Sequence, residues 1–128
     1  MLCLDSSVVI DILRGDAALE RSIDALKDAS CTTPIIACEL LKSGQLNPSF
    51  RAGLEAAREY LARVEFLEFD LSACEVFGQK FAELRRSGKH IDEFDLMIAS
   101  TCMAHNATLV TRNGKDFKHI EGLKLVVV

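Results

Sequence analysis

Apolar positions in this chain come in short continuous bursts and in longer stretches with helical spacing, and the two kinds alternate. Leu2 to Leu4 is a burst that ends at Asp5, which predicts a short buried strand. Ser6 or Ser7 then suits the N-cap of a helix through Leu13, and Gly15 stands where that helix should stop. Asp16 can cap a second helix whose apolar positions are Ala17, Leu19, Ile23 and Leu26. Cys31 to Thr33 predicts a second strand, and Pro34 suits the first turn of a helix carrying Ile35, Ile36, Glu39 and Leu40.

Gly44 and Pro48 mark Ser43 to Arg51 as a loop, after which helix is expected from Ala52 to Arg63. Glu65 to Phe69 alternates as a third strand. Leu71 to Arg86 is a long amphipathic helix with Phe77, Phe81 and Leu84 on one face, and Gly88 ends it. Glu93 to His105 is a further helix, entered through Asp92. Thr108 to Thr111 and Leu123 to Val128 are the remaining strands, the last at a sheet edge. Strands that alternate with helices imply an α/β fold with a parallel sheet covered on both faces. In such sheets, sites form beyond the carboxyl ends of the strands, where the strand order reverses. Asp5 and the segment Thr111 to Asp116 both follow strand ends and can share one crevice.

Bulk properties narrow the class. A chain of 128 residues fits one domain, and the expectation is a single domain over 1–128. Trp is absent and Tyr occurs once, so the core must be aliphatic with some Phe. A net charge of −4 argues against a protein that simply coats nucleic acid, though an acidic metal site would itself contribute negative charge. No basic region precedes the first apolar run, Asp5 interrupts it, and no stretch approaches the roughly 20 apolar residues of a membrane span. Cys3, Cys31, Cys38, Cys74 and Cys102 are odd in number and form no C-x-x-C pair. They read as reduced, mostly buried thiols of a cytoplasmic protein, with no zinc-ligand spacing around His90, His105 or His119.

Four acids are candidates for chemistry. Asp5 follows an apolar strand and must be hydrogen-bonded or metal-bound there, with helix capping as the plain alternative. Glu39 lies in ACELLKSG among mostly apolar neighbours, so it occupies either a narrow solvent stripe or a polar pocket. Asp95 is the N3 residue if Asp92 is the N-cap, and a capping box explains an acid at N3 as well as a site does. Asp116 lies in TRNGKDF, where Gly114 alone accounts for a turn, and Thr111 and Asn113 can hydrogen-bond to a carboxylate. Converging carboxylates without Cys or His suit Mg²⁺ or Mn²⁺ rather than zinc, and such ions can activate water against a phosphodiester. The chain has no G-x-S-x-G, P-loop or G-x-G-x-x-G motif to supply another chemistry.

Taken together, LCLDSSVVIDILRG, TPIIACELLKSG, IDEFDLMIASTCMAHNATLVTRNGKDF and IEGLKL resemble PIN-domain ribonucleases, and more narrowly the VapC toxins of toxin–antitoxin pairs. The resemblance spans nearly the whole chain in order and spacing. It implies a three-layer α/β/α sandwich with a central, mainly parallel sheet. It implies that Asp5, Glu39 and Asp95 are the metal ligands and core catalytic acids of a Mg²⁺- or Mn²⁺-dependent endoribonuclease. The fourth, more variable acid aligns with Asn113, with Asp116 three residues later. Many members carry Asn where this chain has Ser7, while Ser6 and Thr111 match hydroxyl positions that support the acids. The resemblance further implies a structured RNA substrate, a VapB-like antitoxin and a homodimer. Arg14, Lys42, Arg85, Arg86, Lys89, Arg112 and Lys115 flank the acidic motifs and are the candidate phosphate contacts, against a plain reading as exposed cations.

Two other functions share some of these features. A phospho-acceptor receiver domain needs an acidic pair at the first strand and an acceptor Asp after a middle strand. No Asp occurs between Asp28 and Asp70, and Asp5 has no acidic neighbour. A catalytically inactive PIN-fold binding module would be expected to lack core acids, and all three are present.

Overall fold

A computed structural model describes residues 1–47 and 51–128. Its five strands pair in the order β3-β2-β1-β4-β5, all parallel. They are β1 (Leu2–Leu4), β2 (Ser30–Thr32), β3 (Glu65–Phe66), β4 (Thr108–Thr111) and β5 (Leu125–Val127). Among the described residues the helices are α1 (Ser6–Leu13), α2 (Ala17–Asp24), α3 (Pro34–Leu46), α4 (Arg51–Arg63), α5 (Leu71–Arg86), α6 (Glu93–Ala104) and α7 (Gly114–Phe117). The expected α/β class and the parallel sheet are therefore present.

Strand β1 is central, and all three of its residues are buried. Successive side chains of a strand face opposite sides, so this burial requires cover on both faces. Leu109 and Val110 of β4 are likewise fully buried, as are Ile36 of α3 and Leu96, Ile98 and Ala99 of α6. Helix α6 is enclosed on almost every side, and its polar residues need local partners. Ser100 Oγ donates to the Leu96 carbonyl at 2.6 Å and Thr101 Oγ1 to the Met97 carbonyl at 2.7 Å.

Several boundaries differ from expectation, for identifiable reasons. The N-cap of α1 is Asp5 itself, not Ser6 or Ser7. Helix α2 ends at Asp24, so Leu26 lies beyond it and is exposed. The expected loop from Ser43 begins late, because α3 continues through Gly44 to Leu46. A Cβ on Gly44 would lie 2.9 Å from Leu54 Cδ1 and 3.3 Å from Leu54 Cα. The glycine permits close approach of α3 and α4 and does not break the helix. Residues 48–50 of that expected loop lie outside the described residues. Helix α4 starts one residue earlier than expected, at Arg51. The third strand shrinks from Glu65–Phe69 to Glu65–Phe66, the only residues registered with β2. The last strand shortens to Leu125–Val127 and does form the sheet edge. Of the cysteines, Cys3, Cys31 and Cys102 are buried and Cys38 and Cys74 are exposed; all are free thiols. No helix among the described residues is long and apolar enough to cross a membrane.

The TRNGKDF segment contains a short helix, α7, where only a turn was expected. Phe117 anchors it, 1% exposed, while Gly114 lies flat against β5. A Cβ at Gly114 would fall within 2.4 Å of Val127 Cγ2. Val127 is β-branched and stiff at χ1, so it cannot simply turn aside. Gly114→Ala is therefore expected to cost roughly 1–2 kcal/mol, as overpacking does. A lower urea midpoint with an unchanged m-value is the result that checks it.

Candidate active site

The strand order places β2 on one side of β1 and β4 on the other. The chain reverses direction of assembly at β1, and the crevice opens beyond its carboxyl end. Asp5 sits in that crevice. Its amide still donates to the Val110 carbonyl at 2.9 Å, which extends the β1–β4 ladder by one residue. Its backbone is extended, at φ −62° and ψ 155°, and α1 starts immediately after it. Ladder and helix together fix where the carboxylate points.

Both Asp5 oxygens are engaged. Oδ1 accepts the Ser6 amide at 2.9 Å and Oδ2 accepts the Thr111 hydroxyl at 2.6 Å. Thr111 is the last residue of β4, so two strand ends are joined directly. The Thr111 Oγ1 also accepts the Asn113 amide at 2.9 Å, and Asn113 Nδ2 donates to Asp116 Oδ2 at 2.9 Å. A relay of polar contacts thus runs from Asp5 to Asp116. Within the TRNGKDF segment, Asn113 supports the Asp116 carboxylate.

Glu39 comes from α3, which begins at Thr33 directly beyond β2. Thr33 Oγ1 caps it by accepting the Ile36 amide at 3.2 Å, and Pro34 opens the first turn. Ile36, Ala37 and Leu40 are buried and hold the helix against the core, leaving Glu39 half-buried. Burial pushes the Glu39 carboxyl above its usual range. The Ser6 side chain pulls it back down, Asp5 pushes it up, and Lys42 and Asp92 act in opposite directions. Glu39 therefore faces the same crevice as Asp5, not a bare solvent stripe.

Asp95 comes from the first turn of α6. Asp92 is the N-cap as expected, its Oδ1 accepting the amides of Phe94 at 2.9 Å and Asp95 at 3.3 Å. The return half of a capping box is absent among the described residues: the Asp95 carboxylate accepts no bond from the Asp92 amide. Capping therefore does not account for Asp95. Its carboxyl is pushed up to about 6, first by burial, then by Asp5, Asp92, Glu39 and Asp116. Those four acids lie just beyond β1, in α3, at the α6 entrance and in α7, so charges from separate elements bear on this one carboxyl.

The structure thus brings all four sequence-predicted acids into one field and adds Asp92. The sequence marks Asp92 only as a cap. Its signal was its position at the entrance of the same helix, three residues before Asp95. Among the described residues, no group of three His, Cys, Asp or Glu side chains is arranged to hold an ion directly.

The surrounding cations divide. Arg112, a candidate phosphate contact, is ion-paired within the chain: its Nε pairs with Asp11 at 2.9 Å and its NH2 with Asp16 at 3.1 Å. It ties the end of β4 to the α1–α2 corner. Arg85 lies over the Phe81 ring at 5.6 Å. Two hollows flank the N-terminus of α6. One, of about 540 Å³, lies between α5 and α6 and is lined by Phe81, Arg85, Lys89, His90 and Asp92. The other, of about 380 Å³, lies between α3 and α6 and is lined by Ile35, Cys38, Glu39, Lys42 and Met97. Phe94, 62% exposed, lines both.

This arrangement has counterparts among known proteins. The PIN domain family model matches residues 2–123. The tRNA(fMet)-specific endonuclease VapC of Shigella flexneri is 26% identical over 122 residues, covering 94% of this chain and 92% of that protein. Ribonuclease VapC2 of Rickettsia felis is 42% identical over 66 residues, or 52% of this chain and 49% of that one. Among solved structures, VapBC2 from Rickettsia felis bound to a DNA fragment from its promoter superposes with a TM-score of 0.89 at 26% identity. The match covers 99% of this chain and 98% of that one. DNA-bound VapBC from Salmonella typhimurium gives 0.85 at 25% identity, covering 98% and 96%. A match that runs from the first strand to the threshold of the last, on a shared three-layer fold, leaves one assignment: the chain belongs to the PIN domain family.

Proposed function

We propose that the chain is a Mg²⁺- or Mn²⁺-dependent endoribonuclease, the toxin of a type II toxin–antitoxin pair. The observation that carries this is the placing of Asp5, Glu39 and Asp95 from separate elements about one crevice, with Asp95 raised to about 6 by burial and then by the neighbouring acids. Carboxylates that repel one another in a half-buried crevice are stabilised when a cation joins them. The donor set is carboxylate and hydroxyl oxygen, without thiol or imidazole, which fits a hard divalent ion. Mg²⁺ takes one or two carboxylates and keeps several waters, so three side chains need not clasp it directly. When bound, such an ion supplies charge stabilisation to the phosphodiester and lowers the pKa of water.

The chain's own residues would then position and polarise. Asp5 and Asp95 would be the direct holders of the ion, with Glu39 reaching it directly or through water. Thr111 and the Ser6 amide fix the Asp5 carboxylate, and Asn113 fixes Asp116 at the rim. The relatives named VapC are described as ribonucleases, and the VapBC structures are complexes with an antitoxin. These support an RNA substrate and a VapB-like antitoxin partner for this chain; the homodimer rests on the family resemblance alone. Intact core acids favour catalysis over an inactive binding module.

Purified antitoxin-free protein should cleave RNA in Mg²⁺ or Mn²⁺ and stop when EDTA is added. Full activity in EDTA sinks the metal assignment. Absence of cleavage with either ion, by correctly folded protein on a broad panel of RNAs, sinks the nuclease assignment.

A further inference from the structure

A third hollow lies beside the acidic crevice and differs from it in charge. It measures about 300 Å³ and is formed where the α5–α6 connection meets α7. Lys89 and His90 line it from the connection, and Lys115 and His119 from α7 and the residues after it. Asp116 is its only acidic lining residue, and that carboxylate already accepts Asn113 Nδ2. Among the described residues, neither the Lys89 nor the Lys115 ammonium group has an ion-pair or hydrogen-bond partner. In a chain of net charge −4, a hollow that sets two lysines against a single carboxylate stands out.

The cations act across the junction. His119 is held below its usual range, by lost hydration and then by Lys89 and Lys118. Lys89 and His119 line the same hollow from the two segments. Asp116 belongs to both neighbourhoods: it lines this hollow and also raises Asp95 in the crevice. The hollow thus adjoins the acids.

We infer that this hollow is a phosphate subsite for the RNA strand, in which Lys89 and Lys115 hold a backbone phosphate flanking the one that is cleaved. The inference rests on the ribonuclease reading above and assigns the substrate a path across α7. Lysine ammonium groups are compact charges suited to a phosphate oxygen without base selectivity. The subsite should therefore contribute affinity and register, with sequence preference arising elsewhere. It would also counter the repulsion between RNA and the acidic crevice.

The test uses full-length protein carrying Asp5→Asn, which is meant to bind RNA without cutting it. Its affinity for a short fluorescein-labelled single-stranded RNA of mixed sequence is measured by anisotropy in Mg²⁺ across a range of KCl concentrations. Each lost phosphate contact should reduce the slope of log affinity against log salt by about 0.7. Lys89→Gln with Lys115→Gln should reduce it by about 0.7, because the two lysines share one phosphate. Lys27→Gln, at the amino end of the sheet, should leave it unchanged. In the cleaving parent, the double substitution should raise KM and leave kcat near its original value. A double variant with the slope and KM of its parent overturns the subsite while the ribonuclease reading stands. A parent that neither binds nor cuts RNA overturns both.

Discussion

Asp5→Asn should lower RNA cleavage by at least about 100-fold, or about 2.7 kcal/mol of barrier, while leaving the fold intact. The substitution is isosteric and removes one charge at the point where β1 and β4 meet. Its cost to stability is small because most of the hydrogen bonding can be rebuilt. The Thr111 hydroxyl, which now donates to Oδ2, can instead accept from the new amide, at about 1 kcal/mol for the rearrangement. Loss of a repelling neighbour also relieves Asp95, which Asp5 pushes upward, and this offsets part of the cost. Thr111→Val keeps the charge and removes only its support, so it should reduce cleavage by about 10-fold, as loss of a supporting hydrogen bond does around metal ligands. Initial rates in saturating Mg²⁺, with circular dichroism to verify folding, check both. A folded Asp5→Asn protein that cleaves within a few-fold of the parent removes Asp5 from the active site.

The strength of the Asp5 assignment has a simple source. A strand end is visible in sequence as an apolar burst that stops, and the stopping residue inherits the carboxyl-end crevice of the sheet. The long helix α5 was legible for a similar reason: its apolar spacing and its Asp70 cap lie within one continuous segment. What remained hidden depended on contacts between segments. Gly44 looked like a breaker, yet its role is to admit Leu54 of α4 against α3. The Glu65–Phe69 alternation was present, but only Glu65 and Phe66 register with β2, and the pairing ends with the Leu67 amide on the Thr32 carbonyl. Glu39 was ambiguous because its direction is set by how α3 docks beyond β2, and no local pattern encodes that. Asp92 was hidden behind a sufficient local explanation, capping, although it also faces Glu39 and Asp95. Arg112 had the right position for a phosphate contact, but Asp11 and Asp16, far away in sequence, occupy it.

Metal-free protein should lose stability as the pH rises from about 4 to about 6, and a divalent ion should restore it at neutral pH. The cause is Asp95, whose carboxyl moves from an ordinary 3.8 to about 6 on folding. The folded chain then binds a proton more tightly than the unfolded chain. Stability from that proton is complete below the unfolded value and is lost as the pH passes the folded one. Asp95 is only half-buried, so solvent screening reduces the effect to on the order of 1–2 kcal/mol. That corresponds to roughly 4–8 °C in melting temperature. Other groups titrate in the same range, and Asp95→Asn isolates this one. In EDTA the melting temperature of the variant should exceed that of the parent at pH 7 and converge with it near pH 4. Added Mg²⁺ should raise the parent at pH 7 by mass action and raise the variant much less, because the variant has lost a ligand. A parent and variant that differ by the same amount at both pH values would show that Asp95 carries no repulsive charge in the folded chain. The acid would then be held by a local partner and not by the field of the crevice.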